Sequence, residues 1–278
     1  MTRIAILTDS TAYLEEDYVG NHPVRVIPLS VHFQGMVQKE GRPGTYDLFF
    51  KMLSEVKDDF PTTSQPSAGD FLEAYKEYLD KEYEIIVITI SSGISGTWQS
   101  ANTALEMTDT SDRISIIDSQ STAGNLKAFV QQAVKLASEG KTRQEIVAEI
   151  EAQKEKSGVR LTVDTLDYLK KGGRLSNAGA LIGNLLNIRP VLGLIDGIVQ
   201  PVSKARGKKK ALQKMLDDIP ESAFLIHAAH VVSPAEAQLL KNQLVQKFPN
   251  AEVVVSELGP VIGSHLGPGA LGVLYLYK

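Results

Sequence analysis

The chain contains no cysteine, which excludes disulfide frameworks, thiolate zinc sites and cysteine nucleophiles. Charge of one sign is not in excess either. The 29 basic residues face 33 acidic ones, a net charge of −4, so the overall basic footprint of a nucleic-acid binder is absent. Long hydrophobic runs are missing. Uninterrupted apolar stretches such as residues 85–88 fall far short of the ~18 residues that a membrane span requires. The first apolar run, Ile4-Ala5-Ile6-Leu7, stops before Asp9, too soon for the core of a secretory signal. These absences predict a cytoplasmic protein without stable membrane insertion. No Gly-x-x-x-x-Gly-Lys-Ser/Thr run occurs, so the chain lacks that means of cradling a nucleotide triphosphate.

What remains is an ordinary globular composition: 278 residues, 43% hydrophobic and 22% charged, enough for a large core in one or two domains. Residues 3–7, 24–29, 85–90 and 114–117 are short runs rich in Ile and Val, the pattern of strands covered on both faces. Helical stripes lie between them. Ser67 with Asp70 and Thr142 with Glu145 mark two helix starts by the spacing of a capping box. Alternating strands and helices predict a mainly parallel sheet between helices over residues 1–160. The second half differs. Asp196-Gly197 between two apolar runs predicts a tight hairpin. Ser233-Pro234-Ala235-Glu236 reads as a capped helix start with a capping glutamate. The expected fold class is therefore α/β. A parallel-sheet domain is followed by a second α/β domain over residues 161–278 with a mixed or antiparallel sheet, the ligand lying between them.

Three expected strands run into loops crowded with hydroxyls: Thr8-Asp9-Ser10-Thr11, Ser91-Ser92-Gly93-Ile94-Ser95-Gly96-Thr97 and Ser119-Gln120-Ser121-Thr122. In an open parallel sheet such loops emerge at one edge, where ligands bind, so all three are expected to converge on one site. A fourth cluster, Thr62-Thr63-Ser64-Gln65-Pro66-Ser67, precedes a helix. None of the three strand-end loops holds Lys or Arg, so a few hydroxyl donors suit a single carboxylate better than a polyphosphate. His265 stands among five glycines between Gly259 and Gly272, a setting that reads as flexible turns and offers a donor to a carboxylate. Residues 175–194 are short on charge, carrying Arg189 alone among many apolar side chains, and suit the wall of a long pocket. Basic runs flank that stretch: Lys170-Lys171-Gly172-Gly173-Arg174 and Lys204-Ala205-Arg206-Gly207-Lys208-Lys209-Lys210. They suit a docking surface for a partner.

Taken together, these stretches resemble the DegV family, the fatty acid-binding proteins that serve bacterial fatty acid kinase. Thr8-Asp9-Ser10-Thr11, Thr63-Ser64-Gln65-Pro66-Ser67, the 91–97 loop, Leu169 to Arg174, Leu185-Leu186-Asn187-Ile188-Arg189-Pro190 and His265-Leu266-Gly267-Pro268-Gly269 occur in family order. The resemblance implies a carrier that is not itself an enzyme. It needs no metal or cofactor and holds one long-chain fatty acid for a separate ATP-dependent kinase that makes an acyl-phosphate. It further implies that Thr63 and Ser95 hold the carboxylate, with Ser92 as second choice in that loop and Ser64 and His265 close by. Arg174, Lys204 and Arg206 then become the expected docking face. Two other readings stay open. One is a serine hydrolase using Ser95 and His265, although Gly93-Ile94-Ser95-Gly96-Thr97 lacks the last glycine of a nucleophile elbow. The other is a nucleic-acid-binding regulator using residues 204–210.

Overall fold

A computed structural model describes residues 3–56, 59–175 and 188–278. The first half of the chain forms strands β1 (Arg3–Asp9), β2 (Val24–Ile27), β3 (Ser30–Phe33), β4 (Met36–Lys39), β5 (Thr62–Ser64), β6 (Tyr83–Thr89) and β7 (Ile114–Asp118). The second half forms β8 (Ser157–Thr162), β9 (Ile188–Ile195), β10 (Ile198–Arg206), β11 (Ala223–His230), β12 (Glu252–Glu257) and β13 (Leu271–Tyr277). They make three sheets: a four-stranded sheet β2-β1-β6-β7, a six-stranded sheet β10-β9-β8-β13-β11-β12 and a small sheet β4-β3-β5.

The first sheet is parallel throughout, as the continuous apolarity of its strands predicts. Both capping boxes are formed, Ser67 with Asp70 and Thr142 with Glu145. The second sheet is mixed. Its pairings are antiparallel except β11 with β12. The hairpin of β9 and β10 turns at Asp196 and Gly197, both at positive φ (50° and 74°), which is what a two-residue turn matched to strand twist demands.

Helix Ala123–Ser138 ties the two sheets together. Its Leu126, Phe129 and Val130 pack in one core with Ile6 and Ile88 of the first sheet and Leu276 of β13. A second core joins Leu29, Val31 and Phe33 to Val159, Leu161 and Val231 across the same divide. Among the described residues no helix is long and apolar enough to cross a membrane.

Four expectations need correction. The boundary expected at residue 160 falls inside β8, which already belongs to the second sheet; the chain crosses over between Lys154 and Ser157. The small sheet was not expected, because its strands are three or four residues long and β5 reads only as a hydroxyl cluster. His265 lies not in a flexible turn but in the last turn of helix Pro260–Leu266. Proline at the first helical position and glycine just past the end bound that helix, an arrangement that fixes both termini. Finally, the Ser233 side chain caps nothing. Its own N–H donates to His230 Nδ1 at 3.3 Å, and Glu236 pairs with Lys208 at 2.6 Å instead of folding back on the cap.

Candidate functional site

The carboxyl ends of the parallel strands face the second sheet, and a narrow cavity of about 660 Å³, its open mouth included, lies between them. Val159 and Leu161 of β8, Leu194 of β9 and Val199 of β10 form one wall. Leu29, Ile90 and Ile94 line the cavity from the first half of the chain, and Val261, Ile262 and Leu266 of helix Pro260–Leu266 line it as well. Polar side chains among the lining residues are few: Thr63, Gln65, Ser95, Thr122, Arg174 and His265. An apolar channel with a handful of placed polar groups is the general form of a small-molecule site.

Thr63 and His265, 202 positions apart, meet with Oγ1 and Nε2 at 2.7 Å. Pairing of β5 with β3, Thr63 opposite Val31, holds the threonine, and the short helix holds the histidine. His265 is 9% exposed, and its Nδ1 has no partner among the described residues. A buried N–H left unpaired costs more than a bare ring acceptor, so the proton belongs on Nε2, which then donates to Thr63. That leaves the threonine hydroxyl proton free to point at a ligand oxygen. Burial, and behind it the charge of Arg174, lowers the His265 pKa to about 4, so the ring is neutral at physiological pH. Arg174 is half-buried. Its Nη1 donates to the Gly172 carbonyl at 2.6 Å and its Nε to the Ile94 carbonyl at 3.3 Å.

Ser95 opens the turn before helix Thr97–Glu106. Its Oγ accepts the Thr97 N–H at 3.3 Å and lies 2.9 Å from Thr97 Oγ1. The same loop is braced from the second sheet, since Ser91 Oγ donates to the Gly197 carbonyl at 2.7 Å. The hairpin turn therefore rests directly on the serine loop. Of the three hydroxyl-rich loops expected to converge, two reach the cavity, through Ser95 and Thr122. The first does not. Asp9 is fully buried there, accepting from Thr11 N–H (3.0 Å), Thr11 Oγ1 (2.6 Å) and Ile90 N–H (2.6 Å). That loop ties the ends of β1 and β6 together beneath the site.

The model of the DegV family, described as an uncharacterised protein family, matches residues 3–278. The chain belongs to the DegV family. Protein DegV of Bacillus subtilis is 36% identical over 99% of this chain and 99% of its own. The solved structure of a fatty acid-binding DegV family protein from Thermus thermophilus is 35% identical over the full length of both chains, with a TM-score of 0.88. More distantly, the fatty acid kinase B3 protein of Streptococcus pneumoniae, solved loaded with linoleic acid, is 24% identical over the full length of both chains, at a TM-score of 0.85. That last likeness is one of fold.

The DegV motif residues separate into groups. Thr63, Ser95 and His265 line the cavity, and so does Arg174, which was expected on a docking face. Lys204 and Arg206 are exposed on β10. Ser64 turns away from the cavity, its Oγ 2.9 Å from His32 Nε2. Ser92 is exposed and committed to Asp118, to which its N–H donates at 3.0 Å. The apolar stretch 175–194 contributes Leu194 to the wall, while residues 176–187 lie outside the described ones. Sequence reading missed Val159, Leu161 and Val199 as lining residues. The alternation Val159-Arg160-Leu161-Thr162-Val163 carried the signal of a strand with one buried face.

Proposed function

We propose that this protein is a cytoplasmic carrier that binds one long-chain fatty acid and presents it to a separate ATP-dependent fatty acid kinase. The observation that carries the reading is the Thr63–His265 pair at the polar end of an otherwise apolar cavity. Thr63 and Ser95 donate hydroxyls to the carboxylate, neutral His265 fixes Thr63 in the donating orientation, and Arg174 supplies the positive charge nearest the pair. The acyl chain runs along β8, β9 and β10. Burying it is worth about 0.8 kcal/mol per CH₂, so a sixteen-carbon acid gains roughly 10 kcal/mol before ordering costs. The Thermus relative is a fatty acid-binding protein, in keeping with this assignment. In the kinase step a carboxylate oxygen attacks the terminal phosphorus of ATP, the acyl-phosphate forms and ADP leaves. ATP is a cytoplasmic substrate, which is where the carrier then works. Ser64 and Ser92 support the two carboxylate-binding segments, while exposed Lys204 and Arg206 face the kinase.

The hydrolase alternative lacks its geometry. Among the described residues no hydrogen bond joins Ser95 to His265 and no carboxylate orients Nδ1, whereas a nucleophile–base pair needs both contacts. Exposure to a fluorophosphonate, followed by peptide mapping, should leave Ser95 unlabelled while oleate binds stoichiometrically. Labelling at Ser95 without oleate binding would reverse the assignment.

A further inference from the structure

Glu40 lies just past β4 and is only 6% exposed. The fold carries it to the N-terminus of helix Pro260–Leu266, where its Oε1 accepts the Val261 N–H at 2.8 Å. Gly259 permits this approach: a Cβ there would stand 2.7 Å from Glu40 Oε1, 2.8 Å from the Tyr13 ring and 2.9 Å from the Tyr46 ring. Those two rings meet edge to face, their centroids 6.2 Å apart. Among the described residues no lysine or arginine perturbs this carboxylate; the Ser10 hydroxyl and the N–H groups and dipole of the helix are what favour its charge. Val261 precedes His265 by one helical turn, about 6 Å along the axis.

We propose that Glu40 is a positioning residue for the carboxylate end of the cavity: its charge holds the helix that aligns His265 with Thr63, and loss of that charge loosens the grip on a fatty acid carboxylate. The inference rests on the fatty acid-binding reading. The titratable groups facing Glu40 are Asp9 from the end of β1, Tyr13 from the turn after it, and Tyr46 ahead of helix Asp47–Glu55. The helix itself contributes only His265, beyond Val261. Burial, with Asp9 adding to the rise, pushes the Glu40 carboxyl up to about 7 against the opposing pull of the Ser10 hydroxyl and the Val261 N–H. The charge is therefore gained or lost near neutral pH.

The test uses delipidated full-length protein and submicellar dodecanoate, titrated from about pH 6 to about pH 8, a window that spans the Glu40 titration. The His265 ring resonance is followed in parallel and assigned by its loss in His265→Asn. Wild-type affinity should rise about fivefold across the window, the size of a charge–dipole interaction, and the His265 resonance should shift with the same midpoint. In Glu40→Gln both responses should be flat, with affinity at the wild-type acid value. Glu40→Asp, which keeps the charge on a shorter arm, should bind more weakly yet keep a pH response. A wild-type profile in Glu40→Gln would overturn the proposal. So would a wild-type His265 resonance indifferent to pH, which decides the matter alone if Glu40→Gln fails to fold. A wild-type protein that binds no dodecanoate at any pH would defeat the carrier reading, while its resonance would still report on the Glu40–His265 link.

Discussion

In the proposed carrier, Thr63 and Ser95 are the side chains on which the carboxylate depends most directly. Each lost hydrogen bond to a charged group costs on the order of 1.5–3 kcal/mol, about ten- to a hundredfold in affinity. Thr63→Ala and Ser95→Ala should each weaken oleate binding by that factor with unchanged circular dichroism; wild-type affinity in both would place the carboxylate elsewhere. Two buried titratable groups make opposite predictions for stability. Burial lowers the His227 pKa to about 4, so its contribution is full above pH 6.5 and is lost as pH falls toward that value. Urea unfolding should show His227→Asn, which replaces the Nδ1 bonded to Ser256 Oγ at 2.8 Å, to be less acid-sensitive than wild type. Glu40 runs the other way. Its pKa is raised, so the folded state gains most below about pH 4.5 and loses that gain as pH rises through about 7. Glu40→Gln should therefore be more stable than wild type at pH 8, by as much as about 3 kcal/mol.

Elements differ in how plainly the sequence announces them. The parallel strands, both capping boxes and the Asp196-Gly197 hairpin were legible because each rests on local chemistry: continuous apolarity, a side chain reaching three residues on, and two adjacent positive φ values. The small sheet and the short His265 helix were not. Thr63 is in a strand only because β3 is beside it, and Pro260–Leu266 is helical between glycines that alone suggest turns. Both are settled by tertiary packing over more than thirty positions. The hairpin turn carries a prediction of its own. Gly197 sits at φ 74°, and a Cβ there would collide with Ser91 Oγ. Gly197→Ala should lower the unfolding midpoint, costing about 1–3 kcal/mol, and should weaken fatty acid binding by displacing the Ser95 loop. A variant with wild-type stability and affinity would show that the hairpin does not brace that loop.

At the scale of the molecule, the cavity exists because two sheets share a core without closing completely over the strand ends. Sequence spacing placed hydroxyls at those ends correctly but did not reveal which side chains turn inward; Ser92 and Ser64 turn elsewhere, and Arg174 turns in. Arg174 therefore separates from Lys204 and Arg206 in its expected effect. Reversing the charge of Lys204 and Arg206 together should reduce kinase-dependent acyl-phosphate formation and leave oleate affinity unchanged, since exposed charges act over about 8 Å at physiological salt. Arg174→Glu should weaken oleate binding itself. Equal loss of binding in all of these would place the β10 cations in the pocket and remove the docking face. The most direct test of the carrier assignment is native mass spectrometry of the protein as purified. The account predicts a single added mass per chain that denaturation releases as a long-chain fatty acid, and that Thr63→Ala retains less of. A chain that carries no lipid and takes up none when offered oleate would contradict it.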